Sequence, residues 1–160
     1  GKKMNLKTKL KLKAAPNFRL LSTSKYFLEL KKLSNKYVVV YFYPKDNTPG
    51  CTTEALDFTA RQQEFADLNC TVLGVSKDSV KKHANFRTKH GLSVTLLSDA
   101  DSDVCERYGV WKEKKMYGKT FWGIERTTVL IDADGSIARI WPKVKVKGHV
   151  DDVLTTLRDL

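Results

Sequence analysis

The chain has no apolar stretch long enough to cross a membrane. Its longest apolar run, residues 37–43, is seven residues, against the roughly twenty that a spanning helix needs. Lysines interrupt the start of the chain as far as Lys13, which argues against a secretory leader. Cysteine is scarce: Cys51, Cys70 and Cys105 are the only three. An odd, small count is no disulfide framework, and spacings of nineteen and thirty-five residues fit no zinc-ligand pattern. A reducing compartment, the cytoplasm, is therefore expected. Glycine-rich phosphate loops and a Gly-x-Ser-x-Gly elbow are missing. Asp99, Asp101 and Asp103 imitate a calcium loop, but Val104 and Val110 stand where glycine and glutamate are required. His83, His90 and His149 are separated in sequence from other ligand types and read as packing or surface residues. No metal or other cofactor is expected.

Acidic residues are outnumbered, 18 against 29 lysines and arginines, giving a net charge of +11. Six of those charges fall in residues 1–13, which hold no acid. There Leu6, Leu10 and Leu12 alternate with lysines, the period of a half-buried edge strand or a loose basic arm. Further lysines cluster at 112–119 and 143–147. Such a balance attracts polyanions. The plainer reading is a solvated surface, with weak nonspecific DNA binding as an added role of the arm.

The whole chain has 41% hydrophobic and 29% charged residues, ordinary for a globular protein, and residues 14–160 read as one domain. Residues 37–43, YVVVYFY, read as a strand buried on both faces, central in a sheet. A turn-rich loop follows, and from Cys51 the pattern turns helical, with Ala55, Phe58, Gln62 and Phe65 on one face. Residues 70–76 and 94–97 read as strands and 80–90 as a helix closed by Gly91. A short helix is expected over 101–108 and a weaker one over 24–33. A hairpin spans 126–141 across Asp134-Gly135, and 151–160 closes the chain as a helix. Strands alternating with helices imply an α/β fold with a central mixed β-sheet flanked by helices. That order is compatible with a thioredoxin-like fold among other open-sheet folds.

One segment carries chemistry: YFYPKDNTPGCTTEALDF, residues 41–58. Cys51 sits where a buried strand, a turn and a helix meet. The first turn of a helix has unpaired N–H groups and the positive end of the helix dipole. Cysteines so placed fall from a pKa of about 8.5 toward roughly 3.5–7.5, and the thiolate is the reactive form. An isolated cysteine without such placement is more often a small buried hydrophobe.

The spacing Pro44-x-x-x-Thr48-x-x-Cys51 resembles the peroxiredoxin signature, and the surrounding FYPKDNTPGCTTEA is similar to the bacterioferritin comigratory protein or peroxiredoxin Q subgroup. The likeness extends to Ala15-Pro16-Asn17-Phe18, to MYGK from Met116, to GIERTT from Gly123 and to KVKVKGH from Lys143. It covers about nine tenths of the chain. It implies a thioredoxin-like fold, a monomer, and a thiol-dependent peroxidase acting on hydrogen peroxide and organic hydroperoxides. In that reading Cys51 is the nucleophile, and Thr48 turns its hydroxyl toward thiolate and peroxide. Arg126 holds the thiolate and the polarised O–O bond, and Pro44 packs over the sulfur. Glu54, placed in the first helical turn, either orients other groups or answers the helix dipole.

The chain departs from its subgroup at the resolving cysteine. Members carry it five residues after the first, where Leu56 stands here, or in the next helix, where Arg87 stands. Cys70 and Cys105 read as core residues. A one-cysteine cycle is therefore expected, with an external thiol as reductant: thioredoxin, glutaredoxin or a small thiol. A two-cysteine cycle through Cys70 or Cys105 is the alternative. A disulfide oxidoreductase is disfavoured, because Cys51 is followed by Thr52, Thr53 and Glu54 rather than a second cysteine three residues on.

Overall fold

The computed structural model describes residues 13–160, so the expected edge strand or basic arm at 1–13 lies almost wholly outside the described residues. Nine strands are present among these residues: β1 (Arg19–Ser22), β2 (Phe27–Glu29), β3 (Tyr37–Phe42), β4 (Cys70–Ser76), β5 (Thr95–Ser98), β6 (Trp111–Met116), β7 (Lys119–Ile124), β8 (Thr127–Ile131) and β9 (Ile137–Trp141). The helices are α1 (Pro49–Ala60), α2 (Gln62–Asp67), α3 (Val80–His90), α4 (Val104–Arg107) and α5 (His149–Arg158). Seven strands form one mixed sheet in the order β2-β1-β5-β4-β3-β8-β9, and β6 with β7 forms a separate hairpin.

Strand β3 occupies the interior position that its sequence implies, parallel to β4 on one side and antiparallel to β8 on the other. Its side chains alternate between two cores, as a strand must. Val39 and Tyr41 face α1, α2, α3 and α5, together with Phe58, Phe65, Phe86 and Leu154. Val38, Val40 and Phe42 face the other side, with Phe18, Leu20, Val104 and Val110. The site-bearing loop leaves the carboxyl end of β3, where functional loops of open α/β sheets lie.

Two expectations need correction. Residues 24–33 do not form a helix: β2 pairs with β1 from Glu29 to Phe27, and a 3₁₀ turn covers Leu30–Leu33. Sheet pairing has overridden a weak helical spacing; Leu30 is buried, while Phe27 stays exposed under the Arg19 guanidinium. The helix expected at 101–108 is only α4, because the Asp99 carboxylate accepts from the N–H groups of Val104 (3.2 Å) and Cys105 (2.8 Å) and fixes its start there. The hairpin β6–β7 has no apolar alternation to announce it in the sequence. It turns through Tyr117 and Gly118, at φ 53° and 75°, the two positive values that a two-residue type I′ turn requires.

Candidate active site

Helix α1 begins two residues before Cys51, for local reasons. Thr48 precedes a proline, which pushes it to extended backbone (φ −85°, ψ 151°). Pro49 then opens the helix, where its missing N–H costs nothing. The first intrahelical bond runs from Thr52 N–H to the Thr48 carbonyl at 2.9 Å. Cys51 is thus the third residue of a 12-residue helix, in its first turn as expected, with its side chain 1% exposed. The Thr48 hydroxyl does not cap the helix; it donates to the Lys45 carbonyl at 2.8 Å.

Arg126 lies in the crossing from β7 to β8, and its backbone is pinned from both sides. The Glu125 N–H donates to the Val110 carbonyl at 2.8 Å, and the Arg126 carbonyl accepts from Val144 N–H at 2.9 Å. So held, the guanidinium donates through Nη2 to Cys51 Sγ at 3.3 Å and through Nη1 to Glu54 Oε1 at 2.7 Å. Burial pulls the Arg126 pKa down, but Glu54 and Cys51 outweigh it and hold it above its ordinary value. The charge beside the sulfur is therefore permanent.

Glu54 is fully buried, and with the helix starting at Pro49 it belongs to the second turn, not the first. The dipole reading falls away; what Glu54 touches is Arg126. Burial raises its pKa to about 7 against the opposing pull of Arg126. Pro44 is half-buried at the start of the loop. Lys114, not singled out in the sequence, belongs to this neighbourhood. Its ammonium donates to the Ile124 carbonyl at 2.5 Å, and burial followed by the Arg126 charge lowers its pKa.

Neither remaining cysteine is near the Cys51 loop. Cys70 opens β4 opposite Tyr37, the first residue of β3, while Cys51 lies beyond the last. Five strand residues at about 3.3 Å each separate the two ends by roughly 16 Å, more than twice the Cα separation of about 7 Å that a disulfide tolerates. Cys105 packs in the core on the opposite face of the sheet. Burial pushes the Cys70 thiol up to about 12 and the Cys105 thiol up further, with Asp99 adding to the effect. Leu56 is partly exposed on α1, and Arg87 on α3 donates to the Thr23 hydroxyl at 3.3 Å.

His83, separated in sequence from other ligand types, packs in the core and meets Asp46 there. It is fully buried, with Nδ1 2.7 Å from Asp46 Oδ2 and Nε2 2.9 Å from the Leu97 carbonyl. His149 is buried as well, with Nε2 2.7 Å from the Thr128 hydroxyl, and burial lowers its pKa to about 4. Sequence spacing could not bring together groups 37 and 21 residues apart.

Comparison with known proteins places this geometry. The AhpC/TSA family matches residues 12–140. The putative peroxiredoxin bcp of Coxiella burnetii is 51% identical over 143 residues, 89% of this chain and 95% of the relative. The peroxiredoxin Bcp of Bacillus subtilis is 47% identical over 91% of this chain and 93% of its own. Among solved structures, peroxiredoxin Q of Xanthomonas campestris superposes with a TM-score of 0.84 at 46% identity, covering 89% of this chain and 90% of that one. PrxQ of Xylella fastidiosa does so with a TM-score of 0.85 at 39% identity, covering 99% and 98%. The Xanthomonas protein has been solved with serine replacing one or the other of two cysteines thirty-six residues apart. Thirty-six residues past Cys51 stands Arg87.

Proposed function

This chain belongs to the AhpC/TSA family and is a thiol-dependent peroxidase of the peroxiredoxin Bcp/PrxQ group, with a thioredoxin-like fold, and from that premise we propose that it reduces hydrogen peroxide and organic hydroperoxides by a one-cysteine cycle at Cys51. The Cys51 thiolate attacks the terminal oxygen of the hydroperoxide. The S–O bond forms as the O–O bond breaks, leaving a sulfenic acid, and the departing oxygen takes a proton to become water or an alcohol. Relatives support the substrate class: a structural study of the Xanthomonas bacterioferritin comigratory protein concerns its alkyl peroxide reduction activity.

The observation that carries the reading is the 3.3 Å contact from Arg126 Nη2 to Cys51 Sγ. A cation there stabilises the attacking thiolate and the charge that develops along the breaking bond. Thr48 spends its own proton on Lys45, so its oxygen is left as an acceptor for the hydroperoxide O–H. Pro44, at the head of the loop, lacks an N–H and shields the sulfur from water. Glu54 holds the far side of the guanidinium in register.

Resolution by an external thiol is supported by three features. No cysteine stands at Leu56 or Arg87, Cys70 lies at the opposite end of the strand beside β3, and Cys105 lies on the other face of the sheet. An incoming thiol condenses with the sulfenic acid to a mixed disulfide and water, and a second thiol releases Cys51. Steady-state consumption of hydroperoxide with a small thiol tests the assignment: the wild type turns over, Cys51→Ser does not, and turnover by Cys51→Ser would overturn it.

A further inference from the structure

Helix α3 grips the Cys51 loop at two successive residues. His83 meets Asp46 at 2.7 Å, and seven residues on, His90 Nε2 lies 3.1 Å from Asn47 Oδ1. The first contact is part of a buried chain of partners. Tyr43 donates its hydroxyl to Asp46 Oδ1 at 2.6 Å. The Asp46 N–H donates to Asp78 Oδ2 at 2.9 Å, and the Ser76 hydroxyl donates to the same oxygen at 2.7 Å. Tyr43, Asp46, Ser76, Asp78 and His83 are all buried.

Three of these residues, Asp46, Asp78 and His83, have ligand atoms close enough to suggest a metal site. The partners argue otherwise. Both Asp46 oxygens, both His83 nitrogens and Asp78 Oδ2 already hold hydrogen bonds within the protein. The Leu97 carbonyl can only accept, so His83 Nε2 carries the proton it receives, and Nδ1 is taken up by Asp46 Oδ2. A cation would have to displace this proton and these bonds. The cluster is a completed network, not an empty cage.

Its consequence lies in one peptide unit. The bond between Lys45 and Asp46 presents its N–H to Asp78 and its carbonyl to the Thr48 hydroxyl, at 2.9 and 2.8 Å. A peptide unit is planar and rigid, so anchoring one end fixes the direction of the other. Asp46 is held there by His83 and Tyr43. The Thr48 proton is thereby aimed at Lys45, and its lone pairs are aimed elsewhere.

We propose that His83 is a positioning residue for peroxide reduction: through Asp46 and the Lys45–Asp46 peptide it sets the orientation in which Thr48 receives the hydroperoxide. The inference rests on the peroxidase reading above and adds to it a group on a different helix that never touches substrate. A small misplacement of a positioned group costs up to about a hundredfold in rate, so the effect is measurable.

The test compares two reactions of the same sulfur. Oxidation of Cys51 by one equivalent of hydrogen peroxide needs the positioned Thr48, whereas alkylation by iodoacetamide needs only an accessible thiolate. In His83→Gln the peroxide rate is expected to fall about tenfold or more, while alkylation holds steady or rises as the loop loosens. Should His83→Gln not fold, Asp46→Asn, which keeps size and one acceptor, carries the same measurement. Ile137→Ala, a core truncation at the far end of β8–β9, lowers stability and leaves the ratio of the two rates unchanged. In a Thr48→Val background His83→Gln is expected to add no further loss, because its effect travels through Thr48. Proportional loss of both reactions, or losses that multiply in the double variant, would overturn the proposal. A wild type whose Cys51 alkylates but ignores peroxide would instead overturn the peroxidase reading itself.

Discussion

The Cβ that Gly50 lacks would stand 3.1 Å from Nη2 of Arg126, the nitrogen that donates to Cys51 Sγ. The absent side chain lets the guanidinium come down onto the start of α1. Alanine at this position favours helix by roughly 0.5–1 kcal/mol over glycine, but it must push Nη2 away by a few tenths of an ångström. Gly50→Ala is therefore expected to hold or raise the melting temperature while slowing Cys51 oxidation about tenfold. Thermal denaturation and stopped-flow oxidation, run on the same sample, check the opposed signs.

Arg126 serves two partners at once, the sulfur through one nitrogen and Glu54 through the other. A lysine ammonium keeps the charge but not the planar fork. Arg126→Lys is expected to lower the rate of Cys51 oxidation about a hundredfold, the usual cost of removing one charge-stabilising donor. Single-turnover kinetics measure it. A rate within about twofold of wild type would mean that charge alone suffices.

Glu54 and His149 give opposite dependences of stability on pH. Burial raises Glu54 from 4.5 to about 7, so the folded state holds its proton more tightly. That contribution is full below about pH 4.5 and is lost as pH rises through 7. The shift is worth of order 3 kcal/mol. Burial lowers His149 from 6.5 to about 4, so stability is full above pH 6.5 and is lost as pH falls toward 4. The windows overlap and the effects offset each other in the wild type. Urea unfolding between pH 4.5 and 7.5 is expected to show Glu54→Gln losing stability on acidification more steeply than wild type, and His149→Asn less steeply.

The amino-acid pattern made the central elements legible. Residues 37–43 read as a strand buried on both faces, and the helical pattern from Cys51 put the helix start within two residues of where it lies. Gly91 closes α3 at φ 63° as its position implied. Illegible were the features that depend on long-range pairing. β2 forms because β1 is beside it, although Phe27, Leu30 and Leu33 have helical spacing. The hairpin β6–β7 is rich in lysine and mostly exposed, so it lacks an apolar alternation, and only Tyr117-Gly118 marks its turn. In the site, Pro44, Thr48, Cys51, Glu54 and Arg126 were all identifiable as candidates. That Arg126 spans Cys51 and Glu54 across 75 and 72 residues was not derivable from spacing. Nor was the union of Asp46 with His83, since each looks like an ordinary surface residue until the loop folds onto α3.

The central claim is that one sulfur carries the oxidising equivalent and no other cysteine in the chain takes it over. Treating the protein with one equivalent of hydroperoxide, quenching with a sulfenic-acid trap and mapping every cysteine by mass spectrometry tests it directly. The expected result is a trapped sulfenic acid on Cys51 alone, cleared by added thiol, with Cys70 and Cys105 reduced throughout. A disulfide joining Cys51 to Cys70 or Cys105 in most molecules, formed without added thiol, would contradict the account.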